Sequence, residues 1–85
     1  MKQTHDTPNS LSALPIGKSG IVDSLKISGS KRRRLLDLGL VEGARVQALH
    51  QSPAGDPKAY AVMGAVIALR SEDARNIILK PETSY

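Results

Sequence analysis

The 85-residue chain predicts a small, mainly-β domain: a barrel or folded sheet of about five short strands carrying one short helix. Three observations lead there. Short strand-like segments recur between glycine- and proline-marked turns. The apolar residues, 40% of the chain, include no Phe and no Trp and only two Tyr, so the core is expected to be aliphatic. One stretch alone, Lys31 to Leu38, reads as more than a single helical turn. The length permits one domain with a modest core.

Residues 1–10 are polar and are expected to form a flexible lead. Leu11, Leu14 and Ile16 then form a short apolar clip, closed by Pro15 and Gly17, that should lay its side chains on the core. "KSGIVDSLKI", Lys18 to Ile27, reads as the first strand, with Ile21, Leu25 and Ile27 facing inward and Asp23 interrupting the alternation. Ser28-Gly29-Ser30 stops it and offers Ser30 as a helix N-cap. Lys31 to Leu38 fits about two helical turns, with Gly39 as the residue that ends them. At about 100° per residue, Leu35 and Leu38 fall about 60° apart on one side, while Arg33 and Asp37 lie opposite as a solvated pair.

A second strand, Ala44 to His50, alternates Ala44, Val46 and Ala48 against Arg45, Gln47 and Leu49. "SPAGDP", Ser52 to Pro57, is a hairpin loop. Strands near Lys58 to Met63 and Ala65 to Arg70 flank a tight turn at Gly64. Ser71 caps a brief helical turn whose acids suit the helix dipole, Ile77 to Lys80 forms the last strand, and 81–85 is a tail.

The charge is uneven. Twelve Lys and Arg stand against eight Asp and Glu, yet four of the cations are the consecutive Lys31, Arg32, Arg33 and Arg34. Basicity is therefore one local patch, unlike the broad basic face of a general polyanion binder. Set in the first turn of a helix, such a patch works against the macrodipole, by about 0.3–1 kcal/mol per badly placed group. A helix with only a structural role gains nothing from that placement. Docking on an acidic partner is the favoured reading, ahead of a plain solvated face and of nucleic acid. Small barrels that bind single strands stack bases on aromatic side chains, and only Tyr60 and Tyr85 are available.

Catalytic signatures are missing. There is no Cys, and His5 and His50 are far apart. "GKSG", Gly17 to Gly20, resembles the end of a phosphate loop, but the glycine that must begin one is replaced by Ser12. The oxygen and nitrogen donors His5, Asp23, His50, Asp56 and Glu72 are scattered, so no metal site and no cofactor is expected; His50 is the one candidate ligand to watch. No apolar run approaches the roughly 18 residues of a membrane span, and residues 1–6 lack the apolar stretch of a signal peptide. A cytoplasmic, non-enzymatic binding module is the expectation.

The order of motifs is itself informative. "RLLDLGLVEG" (Arg34 to Gly43), "GDP" (Gly55 to Pro57), "GAVIALR" (Gly64 to Arg70) and "DARNIIL" (Asp73 to Leu79), after the opening "LSALPIGKSGIV", together resemble the FeoA family, the ferrous iron transport protein A domain, over about residues 11–80. The resemblance implies an SH3-like β-barrel with an added helix, in which Leu35, Leu38, Gly39, Gly43, Leu69 and Arg70 are structural positions. It also implies a cytoplasmic accessory of FeoB, the membrane ferrous iron transporter, reaching the membrane only through that partner. On this chain Lys31, Arg32, Arg33 and Arg34, with Gly55, Asp56 and Pro57 as a second element, are the expected partner contacts. Where the family commonly has Pro-Gly after the helix, this chain has Glu42-Gly43. Alternative readings are a small regulatory metal-binding barrel, as in the similar C-terminal modules of metal-dependent repressors, or a nucleic-acid-binding barrel. Exposed edge strands also offer a route to a homo-oligomer.

Overall fold

The computed structural model describes residues 9–81. A short 3-10 turn, Leu11–Ala13, leads into strand β1, Ser19–Leu25. Helix α1 spans Gly29–Asp37. Strands β2 (Arg45–Gln51), β3 (Lys58–Val62) and β4 (Ala65–Leu69) follow as a meander. The short helix α2, Ser71–Ala74, and β5, Ile77–Leu79, complete the domain. One antiparallel five-stranded sheet results, ordered β4-β3-β2-β1-β5.

The sheet curls because β1 serves two neighbours. Ser19, Gly20 and Ile21 pair with β2, and from Val22 onward the strand pairs with β5. An irregularity between Val22 and Ser24 falls at Asp23, where the sequence alternation breaks. It also resets the facing. Val22 is fully buried, whereas Ile21, Leu25 and Ile27 are only partly so, which corrects the inward set expected from strict alternation. β2 keeps the expected alternation as far as Ala48: Ala44 just before the strand, Val46 and Ala48 are buried and Arg45 and Gln47 are exposed, whereas Leu49, expected outward, is half-buried where the register with β3 shifts.

The N-terminal clip is partly as expected. Leu11 is fully buried and Leu14 packs against the core, but Ile16 is exposed. The fold starts earlier than the sequence suggests. Ser10 is buried and bridges to Ile78, and the backbone N–H of Leu79 donates to the Asn9 carbonyl at 2.7 Å. Lys58 adds a strap, its Nζ donating to the Ser12 carbonyl at 3.0 Å. The remainder of the predicted lead, with His5, and the tail with Tyr85 lie outside the described residues.

The core is aliphatic with one exception. Tyr60, on β3 between Ala48 and Ile67, is 1% exposed and is the largest fully buried side chain. Burial disfavours a phenolate, and the nearby Asp56 charge adds to the effect, so its hydroxyl pKa is pushed up to about 12. A buried ring cannot stack a nucleobase, so Tyr60 is removed from any nucleic-acid surface.

Candidate functional site

α1 places the basic run. Its apolar residues follow helical spacing, and Leu35 is buried at 3% exposure, with Leu38 partly buried against the same core. The C-terminal end is closed by backbone geometry. Gly39 has φ 103°, its N–H donates to the Leu36 carbonyl at 3.0 Å, and the Leu40 N–H reaches back to Leu35 at 3.1 Å. This paired reach is the Schellman arrangement, and fully buried Leu40 anchors it. Only glycine fits at 39: a Cβ there would stand 2.9 Å from Met63 Cγ and 3.3 Å from Val62 Cγ1. α1 is thereby pinned to the β3–β4 turn.

The helix starts earlier than the sequence indicates, at Gly29 with Ser28 preceding it, so Ser30 lies inside it and is not the N-cap. The basic run therefore straddles the helix instead of crowding its first turn, and Arg34 falls in the last turn, where the dipole favours a cation. The electrostatic cost expected from the sequence is correspondingly smaller.

All four cationic residues are exposed, but they are not equivalent. Lys31 Nζ lies 3.3 Å from Asp73 Oδ1 and 3.9 Å from Glu72 Oε2, both in the first turn of α2. Arg32 makes a long 3.4 Å bond to the Leu25 carbonyl. Among the described residues Arg33 and Arg34 have no ion pair and no side-chain hydrogen bond, and the pair expected between Arg33 and Asp37 does not form.

Asp56 of the β2–β3 loop, half-buried, turns its carboxylate toward the start of α2. The Ser71 backbone N–H donates to Asp56 Oδ1 at 2.8 Å, and Arg70 Nη1 lies 3.8 Å from Oδ2. Ser71 itself makes no side-chain cap, contrary to the sequence expectation; the cap comes from a different loop. The loop is braced internally, with the Ser52 hydroxyl donating to the Asp56 carbonyl at 2.8 Å and the Gly55 N–H to the Ser52 carbonyl at 2.8 Å. Asp56-Pro57 is a cis peptide. α2 thus joins the two regions singled out from the sequence: Asp73 holds Lys31, and Ser71 is held by Asp56.

Of the other predicted positions, Gly43 has φ 90° in the turn before β2, Leu69 is buried at the end of β4, and Arg70 is exposed beside Asp56. Glu42 is exposed. His50 is exposed on β2, and among the described residues no cluster of three or more His, Asp or Glu has metal-holding geometry. A groove of about 350 Å³ lies between the 3-10 turn, β1 and β5, lined by Ser10, Leu14, Gly20, Leu79 and Lys80 among others, and among the described residues it brings together no carboxylate or imidazole. No helix among the described residues is long and apolar enough to cross a membrane.

Sequence reasoning missed the Lys31–Asp73 and Asp56–Ser71 contacts. The first links residues 42 positions apart and the second 15 apart, and no local periodicity reports either.

The chain resembles known proteins over almost all of this architecture. The FeoA domain family model matches residues 9–81. The Fe(2+) transport protein A/Fe(2+) transporter FeoB fusion protein of Porphyromonas gingivalis (strain ATCC BAA-308 / W83) is 33% identical over 67 residues, which is 79% of this chain but 8% of the fusion protein. FeoA of Chlorobium tepidum superposes with a TM-score of 0.78 at 37% identity, covering 82% of this chain and 67% of that one. FeoA of Stenotrophomonas maltophilia in complex with zinc, a prokaryotic SH3-domain protein, gives 0.75 at 31% identity over 84% and 88% of the two chains. With its curled five-stranded sheet decorated by α1 and the short α2, the chain belongs to the FeoA domain family.

Proposed function

We propose that this chain is a non-catalytic accessory that docks on the cytosolic part of a FeoB-like ferrous iron transporter and tunes its activity. Membership of the FeoA family links the chain to Fe(2+) transport. The fusion relative is named for both an A part and a FeoB transporter part, which supports the choice of partner. Fusing two components raises their effective concentration for one another, as suits a pair that works together. A cytoplasmic location follows from that reading.

The observation that carries the contact surface is the state of Arg33 and Arg34. Both are exposed on the helix that Leu35 holds to the core, Arg33 on the side away from that core and Arg34 on its flank, and neither has a carboxylate within ion-pair distance among the described residues. Exposed guanidinium groups without local partners suit bidentate recognition of carboxylates on another surface. Arg32 extends that surface, and Lys31 serves mainly to seat α2. The Gly55-Asp56-Pro57 loop is the second contact element, with Asp56 shaping it through α2 instead of presenting its charge. Co-precipitation with the transporter's soluble domain tests this. The wild type is retained at low salt, and Arg32→Glu/Arg33→Glu/Arg34→Glu is lost. Equal retention of both removes the basic face from the mechanism.

A further inference from the structure

β4 lies at one end of the sheet. Among the described residues β4 pairs with β3 alone, in the regular register Lys58↔Leu69 to Val62↔Ala65 with no bulge. Its sequence, Ala-Val-Ile-Ala-Leu, contains no Lys, no Pro and no charge, so it lacks the usual devices that protect a sheet edge. Val66 is 66% exposed, and Ala65 and Ala68 are exposed as well.

The turn fixes which backbone groups face outward. Met63 and Gly64 form a two-residue connection with φ 52° and 82°, the positive pair that a type I′ hairpin requires. In such a hairpin the flanking residues Val62 and Ala65 exchange both backbone hydrogen bonds, and the pattern repeats at every second residue. Ala65, Ile67 and Leu69 therefore direct their backbone groups to β3, and Val66 and Ala68 direct theirs away from the sheet.

We propose that this edge pairs with the same edge of a second copy of the chain, antiparallel and centred on Ile67. That register sets Val66 opposite Ala68 of the second copy, and Ala68 opposite its Val66. Four backbone hydrogen bonds then close from the four outward donors and acceptors, so the edge is complementary to itself. The charges agree. Arg70 comes opposite Gly64 of the second copy instead of its own symmetry mate, so no like charges meet across the axis. Exposed Val66 gains an apolar neighbour in Ala68 of the second copy. A strand-only contact of this size is a weak, concentration-dependent interface, unlike that of an obligate dimer.

Sedimentation equilibrium of the full chain up to about 1 mM tests the pairing. The mass rises from the 9.1 kDa of one chain toward twice that value. Ala68→Pro removes an outward donor while sparing the ladder to β3, and keeps the monomer mass throughout with the far-ultraviolet spectrum of the wild type. Val66→Lys, which leaves the backbone intact, also holds the monomer mass and covers the case in which the proline variant fails to fold. A wild-type mass of one chain at every concentration overturns the proposal, as does a dimer that survives Val66→Lys. Transporter binding through α1 is read separately and is untouched by either result.

Discussion

The backbone N–H of Ser71 donates to the Asp56 carboxylate at 2.8 Å, so the loop between β2 and β3 supplies the cap of a helix that begins 15 residues later. α2 has only four residues and no cap of its own. The same carboxylate receives Arg70 at 3.8 Å. An aspartate that looks from the sequence like a turn residue thus holds the element that in turn holds Lys31.

Asp56→Ala should lower stability by about 1 kcal/mol, the usual cost of an N-cap carboxylate, and lower Tm by about 4–8 °C. Asp56→Asn, which still offers an oxygen to the Ser71 N–H, should lose less. Thermal unfolding followed by circular dichroism measures both, and equal losses would show that charge rather than capping matters.

Gly39→Ala should be more costly than an ordinary surface substitution. The new Cβ meets Met63 Cγ at 2.9 Å, and φ 103° is strained for any L side chain, so about 1–3 kcal/mol is expected. Trimming the obstacle should recover part of it: Gly39→Ala with Met63→Ala should lose less than the two single losses combined. Strict additivity in chemical denaturation would exclude the contact.

Tyr60 makes the fold sensitive to alkali. Its hydroxyl titrates near 10 in the unfolded chain and at about 12 in the fold, so below pH 10 it is neutral in both states and does not alter stability. As pH rises from 10 to 12 the unfolded chain releases the proton first, and stability falls, by about 2–3 kcal/mol in total. Tyr60→Phe should abolish that part of the slope. A Tm profile between pH 9 and 12 that is the same in both proteins would refute the assignment.

Leu35→Ala should destabilise by about 2–4 kcal/mol, because the side chain is 3% exposed and is the buried anchor of α1. Urea unfolding reads the loss. A change under about 0.5 kcal/mol, the range of surface sites, would mean that α1 is not held by its leucine.

Much of the fold is legible locally. The alternation of Ala44, Val46 and Ala48 survives because β2 buries one face throughout that stretch, and Gly39 reads as a helix terminator because a left-handed residue is needed there. What local pattern cannot supply is the bulge at Asp23. One irregular residue resets the parity beyond it, so Val22 and Leu25, three positions apart, both pack on the core, which strict alternation does not allow. The basic helix is visible as a charge run, but its division into a structural Lys31 and an Arg33 and Arg34 that have no ion pair among the described residues depends on where α2 lands, which is a tertiary fact.

The central claim is that Arg33 and Arg34 form the docking surface. Titration of the transporter's isolated cytosolic domain with wild type and with Arg33→Glu/Arg34→Glu, at about 50 and about 200 mM salt, tests it most directly. The account predicts wild-type binding that weakens with salt and a variant at least about tenfold weaker at low salt. A variant that binds as tightly as the wild type under both conditions would contradict it.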